Sequence, residues 1–267
     1  MNINERLALF KMAKCMAEYG LVSGREFISI SRMFFITEYS PENLFNYASL
    51  LIGSIDQDKW FEILNLIFIK YQNYFHLIMG EILQVTFKLT EEKTGSNEKA
   101  RKVLVNTFER YLDILGYKLS TDFHYKTLDY IDVKIVPRET EDGRKEEQNK
   151  LFTILENKYP TIFTALTGAY ERYLEGGTDA NRQSIDSCRN AYENFFKQIT
   201  RKQNWKSELN NVIKSSTLIE LIKNGIFQYL SGTGTHSPKE REKEDAVLAI
   251  RLTEDILIRV LTESGEY

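Results

Sequence analysis

The chain has 267 residues, 42% of them apolar and 27% charged, with a formal net charge of −3. That excludes a disordered polyelectrolyte and provides material for a sizeable core. The slightly acidic balance also excludes a surface that coats nucleic acid all round, so any such contact has to come from a local basic patch. Cys15 and Cys188 are the two cysteines. They have no CxxC or Cys/His spacing and read as two buried thiols in a reducing cytoplasm.

Residues 4–19 place Leu7, Phe10, Lys11, Lys14 and Cys15 on related faces, predicting a helix that ends at Gly20. Its charges, Glu5, Arg6, Lys11 and Lys14, do not fit a signal peptide. Residues 25–37 are ambiguous: Phe27 to Ile30 alternate like a strand, while the rest suits a helix. Ser40-Pro41 opens a helix to about Leu51, with Gly53 as its stop. Asp56 starts a long apolar helix expected to reach about Phe87. A membrane span needs about 20 mostly apolar residues, and Glu62, Lys70, Gln72, Asn73 and His76 interrupt this stretch. It therefore reads as a core helix, with His76 a core or interface histidine. The expectation is a cytoplasmic protein with soluble partners and no membrane contact.

Residues 91–99 read as a polar loop, and a helix follows over 99–115 with Val103, Leu104, Phe108, Leu112 and Leu115 as its stripe, ending at Gly116. In 130–136, YIDVKIV, Ile131, Val133 and Ile135 alternate with Asp132 and Lys134, the pattern of a strand. Its partner is expected in 117–125, which carries a third histidine, His124, with no evident partner. The run PRETEDGRKEEQNK (137–150) has no apolar residue. It predicts a solvated linker over 138–150, separating a helical module with a small β element (1–137) from a helical bundle (151–267).

Four amphipathic segments make up that second part. The first, 150–174, is broken after Tyr159 by Pro160. The second, 180–200, has Asp179 as its expected cap and Ile185, Cys188, Tyr192, Phe195, Phe196 and Ile199 as its apolar face. The third spans 206–230 and the fourth 238–263. Short connections between four such segments fit an up-and-down bundle, so the fold class expected is mainly α with a small β element.

Between the last two segments lies SGTGTHSPKE (231–240). Ser237, Pro238 and Glu240 form a capping box, and Gly232 and Gly234 serve as helix stop and turn. A phosphate loop needs GxxxxGK[ST] after a strand, and here a helix precedes. His236 is left over; just before a helix N-terminus the dipole is expected to favour anions and disfavour imidazolium.

Two segments, SCRNAYENFFKQIT (187–200) and THSPKEREKEDAVLAIRLTEDILIRVL (235–261), carry a resemblance. In the first, Arg189, Ala191, Glu193, Lys197 and Ile199 form an R-x-A-x-E-x-x-x-K-x-I pattern; in the second, a His-containing turn leads into an Ala-rich helix. Together they resemble the HEPN-type helical bundles of prokaryotic abortive-infection and antiviral proteins. The resemblance implies a HEPN-like four-helix bundle. In the nucleolytic members Arg precedes His by four to six residues and supports metal-independent RNA cleavage. This chain departs from that pattern, because no Arg lies between Arg201 and His236, and Arg241 follows the histidine instead.

The expectation that follows is a non-catalytic binding and assembly subunit of an antiviral defence system. It would associate with an effector protein, or with itself through its aromatic helices, with RNA or DNA as a further partner. A ribonuclease using His236 for one of the proton-transfer roles, with Arg241 supplying positive charge, is an alternative from another class. A third is a sequence-independent nucleic-acid-binding subunit built on Lys197, Arg201, Lys202, Trp205 and Lys206, where cations neutralise phosphates and the indole stacks on a base. No HExxH, GxSxG, Rossmann or metal-dependent nuclease signature occurs, and no cofactor is expected.

Overall fold

Helix α1 (Ile3–Tyr19) begins at a reciprocal cap. The Asn2 side-chain oxygen accepts from the Glu5 N–H at 2.8 Å, and the Glu5 carboxylate accepts from the Asn2 N–H at 2.8 Å. The structure, a computed structural model, describes residues 1–19, 24–34, 36, 55–94, 98–123, 131–137, 142–234 and 243–267. They divide into two units, Met1–Glu139 and Thr140–Tyr267. The helix expected over 40–51 lies outside the described residues.

In the first unit, α1 buries Ala8, Leu9, Met12, Ala13 and Met16 completely. The face expected from the sequence is therefore rotated: Cys15 is buried, but Phe10 is 40% exposed. The ambiguous segment is a helix, α2 (Gly24–Met33), with Phe27, Ile28 and Ile30 inside and the Ser31 hydroxyl donating to the Phe27 carbonyl at 2.9 Å. Asp56 caps α3 (Gln57–Lys70) by accepting from the Lys59 N–H at 2.8 Å. The helix expected to continue to Phe87 breaks at Tyr71. A 3₁₀ turn (Gln72–Tyr74) separates it from α4 (Phe75–Thr94). The break sits where the half-buried Tyr71 and the exposed Gln72, Asn73 and Tyr74 give way to Phe75, which folds back edge-on against Phe68 at 5.1 Å. His76 is half-buried at the start of α4. That helix runs on into the stretch expected as a polar loop.

Helix α5 (Glu98–Ile114) leads through Gly116, at φ 85°, into a two-stranded antiparallel sheet of β1 (Tyr117–Phe123) and β2 (Ile131–Pro137). Its register pairs Leu119 with Ile135 and Thr121 with Val133. As alternation requires, Val133 and Ile135 are buried and Lys134 is exposed. The sheet packs on α4 and α5, with Tyr117 against Phe75 at 5.0 Å. Val103, expected in the α5 stripe, is instead 54% exposed.

The second unit begins with a correction. The charged run expected as a linker is helical from Asp142, forming the first half of α6 (Asp142–Lys158). Pro160 then takes the first position of α7 (Pro160–Glu175), where its fixed φ suits the helix and its missing N–H costs nothing. Gly176 and Gly177, at φ 77° and 87° with extended ψ, adopt a conformation essentially confined to glycine and re-aim the chain into α8 (Thr178–Thr200). Gly177 is the cap residue of α8, not Asp179, which lies in the first turn beside Arg182.

The segment expected as one helix over 206–230 is a broken series. It comprises α9 (Trp205–Glu208), a 3₁₀ turn (Leu209–Asn211), α10 (Ser216–Glu220), a π-helical stretch (Leu221–Ile226) and α11 (Phe227–Gly234). Within the π stretch the Ile222 carbonyl accepts both from the Phe227 N–H, five residues on, and from the Tyr192 hydroxyl, the latter at 2.9 Å. Helix α12 (Lys243–Glu263) closes the unit. Helix α8 packs against α7, α11 and α12, and its buried face includes Ile185, Cys188, Ala191, Tyr192, Phe195 and Phe196.

Candidate functional site

The expected nucleic-acid-binding residues cluster at the C-terminal end of α8. Upstream, the carboxylate of Glu193 accepts from Arg189 Nε at 2.8 Å and is 3.5 Å from Lys197 Nζ, both at one-turn spacing. Ala191 is fully buried and Ile199 half-buried. The pattern that carried the resemblance thus has a structural account in this helix: an apolar inner face and a charge ladder outside. Arg201 and Lys202 are exposed, and among the described residues neither makes an ion pair. Cations at a helix C-terminus meet the negative end of its dipole. Arg201 ends the helix in the left-handed region, at φ 56°, and is the one non-glycine residue with positive φ among those described.

Trp205 does not fit the expected role. It is 4% exposed, stacked on Phe196 at 5.0 Å and edge-on to Phe227 at 5.6 Å and to Tyr192 at 6.2 Å. The indole is a core ring and presents no face to a base. Lys206 covers the cluster from outside, its Nζ 3.5 Å from the Phe227 ring centroid and 5.6 Å from that of Trp205. Desolvation lowers the pKa of this ammonium, Glu193 works to raise it, and Arg189 lowers it further. Of the aromatic residues in the helices, Tyr173, Tyr192, Phe195 and Phe196 are fully buried within the second unit, whereas Phe10 and Tyr74 of the first are exposed.

His236 and Arg241, the residues expected to carry catalysis, lie in 235–242, outside the described residues, as does His124.

A second polar constellation escaped the sequence reading. Glu254 of α12 is completely buried. Its Oε1 accepts from the Tyr170 hydroxyl of α7 at 2.5 Å, and its Oε2 from Gln148 Nε2 of α6 at 2.8 Å. Arg144 Nη2 of α6 lies 3.7 Å from the same Oε2 and 3.3 Å from Oδ1 of Asp255. Burial raises the pKa of Glu254; the bonds from Tyr170 and Gln148 and the charge of Arg144 oppose that, and Asp255 adds to it. Tyr170 is pushed well up by burial, by the Glu254 charge and by their hydrogen bond. Cys188 of α8 is near enough to feel Glu254, and burial raises its thiol as well, the condition of an inert cysteine. One signal in the sequence pointed here. Ile250, Glu254, Leu257 and Leu261 recur at helical spacing, so Glu254 occupies an apolar position.

On the outer side of the broken segment, Ser216, Thr217, Glu220, Leu221, Asn224 and Gly225 line a shallow open groove of about 640 Å³. Leu221 is 47% exposed there and lies over Gly225, where an added Cβ would come within 2.9 Å of the Leu221 Cδ1. Among the described residues, no three His, Cys, Asp or Glu side chains are grouped as metal ligands, and no helix is long and apolar enough to cross a membrane.

The class these features define is a mainly helical chain of two units, with a small antiparallel sheet in the first. No protein-family model, no curated protein and no solved structure matches it.

Proposed function

We propose that the chain is a non-catalytic binding and assembly subunit of a prokaryotic antiviral defence system, associating with an effector protein through an acidic face on that partner. The observation that carries the reading is the state of the charges along α8. Arg189, Glu193 and Lys197 satisfy one another, while Arg201 and Lys202 project unpaired from the helix end. Exposed charges of this kind add little to stability, but they steer and orient a charged partner. The defence assignment rests on the resemblance of 187–200 and 235–261 to HEPN-type bundles. Co-expression with the genomic neighbours tests the proposal. A defined complex that weakens on joint Arg201→Glu and Lys202→Glu substitution is expected; a strictly monomeric protein that recovers no partner overturns it.

The same exposed cations favour a second reading, a sequence-independent contact with nucleic acid. With Trp205 in the core, such a contact is to phosphates and not to bases. The logarithm of the binding constant then falls linearly with the logarithm of salt concentration, with a slope of about 0.7 to 0.9 per phosphate contact, and the double charge reversal flattens that slope by about two contacts. Binding indifferent to salt removes this reading.

A further inference from the structure

The first half of α6, residues 142–150, contains no apolar residue. The buried apolar side chains of this helix, Leu151, Phe152 and Leu155, all lie further on. Docking of the first half therefore rests on polar contacts, and the inward ones converge on one sealed carboxylate. Gln148 donates to Glu254 at 2.8 Å and lies 3.4 Å from the Tyr170 hydroxyl, while Arg144 reaches Glu254 and Asp255. Two contacts at the rim complete the attachment. The Tyr267 hydroxyl donates to the Glu147 carbonyl at 2.8 Å, and Lys150 lies over the Tyr267 ring at 4.2 Å.

We infer that Glu254 is the catch of a pH-sensitive clasp, which lets the first half of α6 lift from α7 and α12 more readily as the pH rises. Lifting this half removes the cover over Glu254 and hydrates it, so opening and ionisation are linked. Among the described residues, the titratable groups around the carboxyl are Tyr170 from α7, Arg144 from α6, Cys188 from α8 and its neighbour Asp255 on α12. In the closed state burial holds its pKa above the ordinary 4.5 against the pull of Arg144 and the two donors. A group whose closed-state pKa is raised stabilises the closed form fully below its open-state value. That contribution is lost as the pH climbs through the raised value. Protonation does not undo the clasp. Arg144 keeps Asp255 at 3.3 Å, the Gln148 amide can offer either end, and the Tyr170 hydroxyl both donates and accepts.

Native-state hydrogen exchange on the full chain between pH 4 and 8 tests this, with opening constants for the amides of residues 146–150 corrected for the intrinsic base-catalysed rate. In the wild type the opening constant is expected to rise by about tenfold per pH unit above 4.5, then level off above the raised value. Amides of the buried stretch 185–196, which exchange through global unfolding, should have much smaller opening constants than 146–150 at every pH. Glu254→Gln, which keeps the shape and a carbonyl acceptor, should give a flat profile at the wild-type acid level. A flat or falling wild-type profile, or a Gln variant that keeps the rise, overturns the clasp. Carbon-13 titration of the Glu254 carboxyl in the unmodified protein gives an independent reading: a midpoint above the ordinary value supports the proposal, and a midpoint at or below it overturns it.

Discussion

The sealed node around Glu254 and the open end of α8 both gather charged side chains in the second unit, and they use them in opposite ways. At the node one carboxylate is stripped of water and shared by donors from α6 and α7. Removing a charge from water costs several kcal/mol before any partner repays it, so every contact there is committed to holding helices together. At the end of α8, Arg201 and Lys202 remain in water, where each is worth little to the fold and stays available to something outside it. Charge on the page of a sequence looks the same in both places. Burial alone decides whether it is committed to architecture or left in water.

Trp205 stands on the border between these regimes, and substituting it should produce the largest effect. If it is a core ring, Trp205→Ala lowers the stability of the second unit by about 3–5 kcal/mol, read from denaturant midpoints. Trp205→Phe, which keeps a ring against Phe196 and Phe227, should lose far less and leave any partner or nucleic-acid affinity unchanged. A folded Trp205→Phe protein with sharply weaker binding would return the indole to the interface and break the comparison. Next in size is Tyr192→Phe. It deletes the hydroxyl that the Ile222 carbonyl accepts, while the Phe227 N–H still serves that carbonyl. A loss of about 1 kcal/mol is expected, with faster amide exchange confined to 221–227.

Local punctuation made much of the fold legible. Pro160, Gly116, Asp56 and the alternation over 131–135 carry their meaning within a few residues, and helix starts, the strand pairing and the break after Tyr159 follow from them. What was illegible depends on partners distant in the chain. Gln148 finds Glu254 across 106 positions, so a run with no apolar residue becomes a docked helix where composition alone says linker. The turn at Tyr71 and the π stretch at Leu221 likewise coincide with side-chain contacts: Phe75 on Phe68, and the Tyr192 hydroxyl on Ile222. The candidate site was legible in its cations and misread in its tryptophan. Aromatic residues beside lysines look alike whether they face water or the core, and here the ring partners Tyr192, Phe196 and Phe227 decide it.

The smallest expected effects on stability come from Arg201 and Lys202, and they sharpen the comparison most. Arg201 holds a left-handed backbone at φ 56°, which costs a side-chain-bearing residue about 1 kcal/mol relative to glycine. Arg201→Gly should therefore stabilise the protein by up to about 1 kcal/mol and, on the proposed function, weaken binding of the proposed partner. Joint Arg201→Glu and Lys202→Glu substitution should lower stability by no more than about 1 kcal/mol, the lost interaction with the helix dipole, because neither side chain has an ion pair to lose. A variant that grows more stable as it binds less well is the signature of a residue kept for recognition. If Arg201→Gly instead destabilises the chain and leaves binding intact, the end of α8 belongs to the architecture, as the Glu254 node does, and the distinction between the two regions fails at that helix.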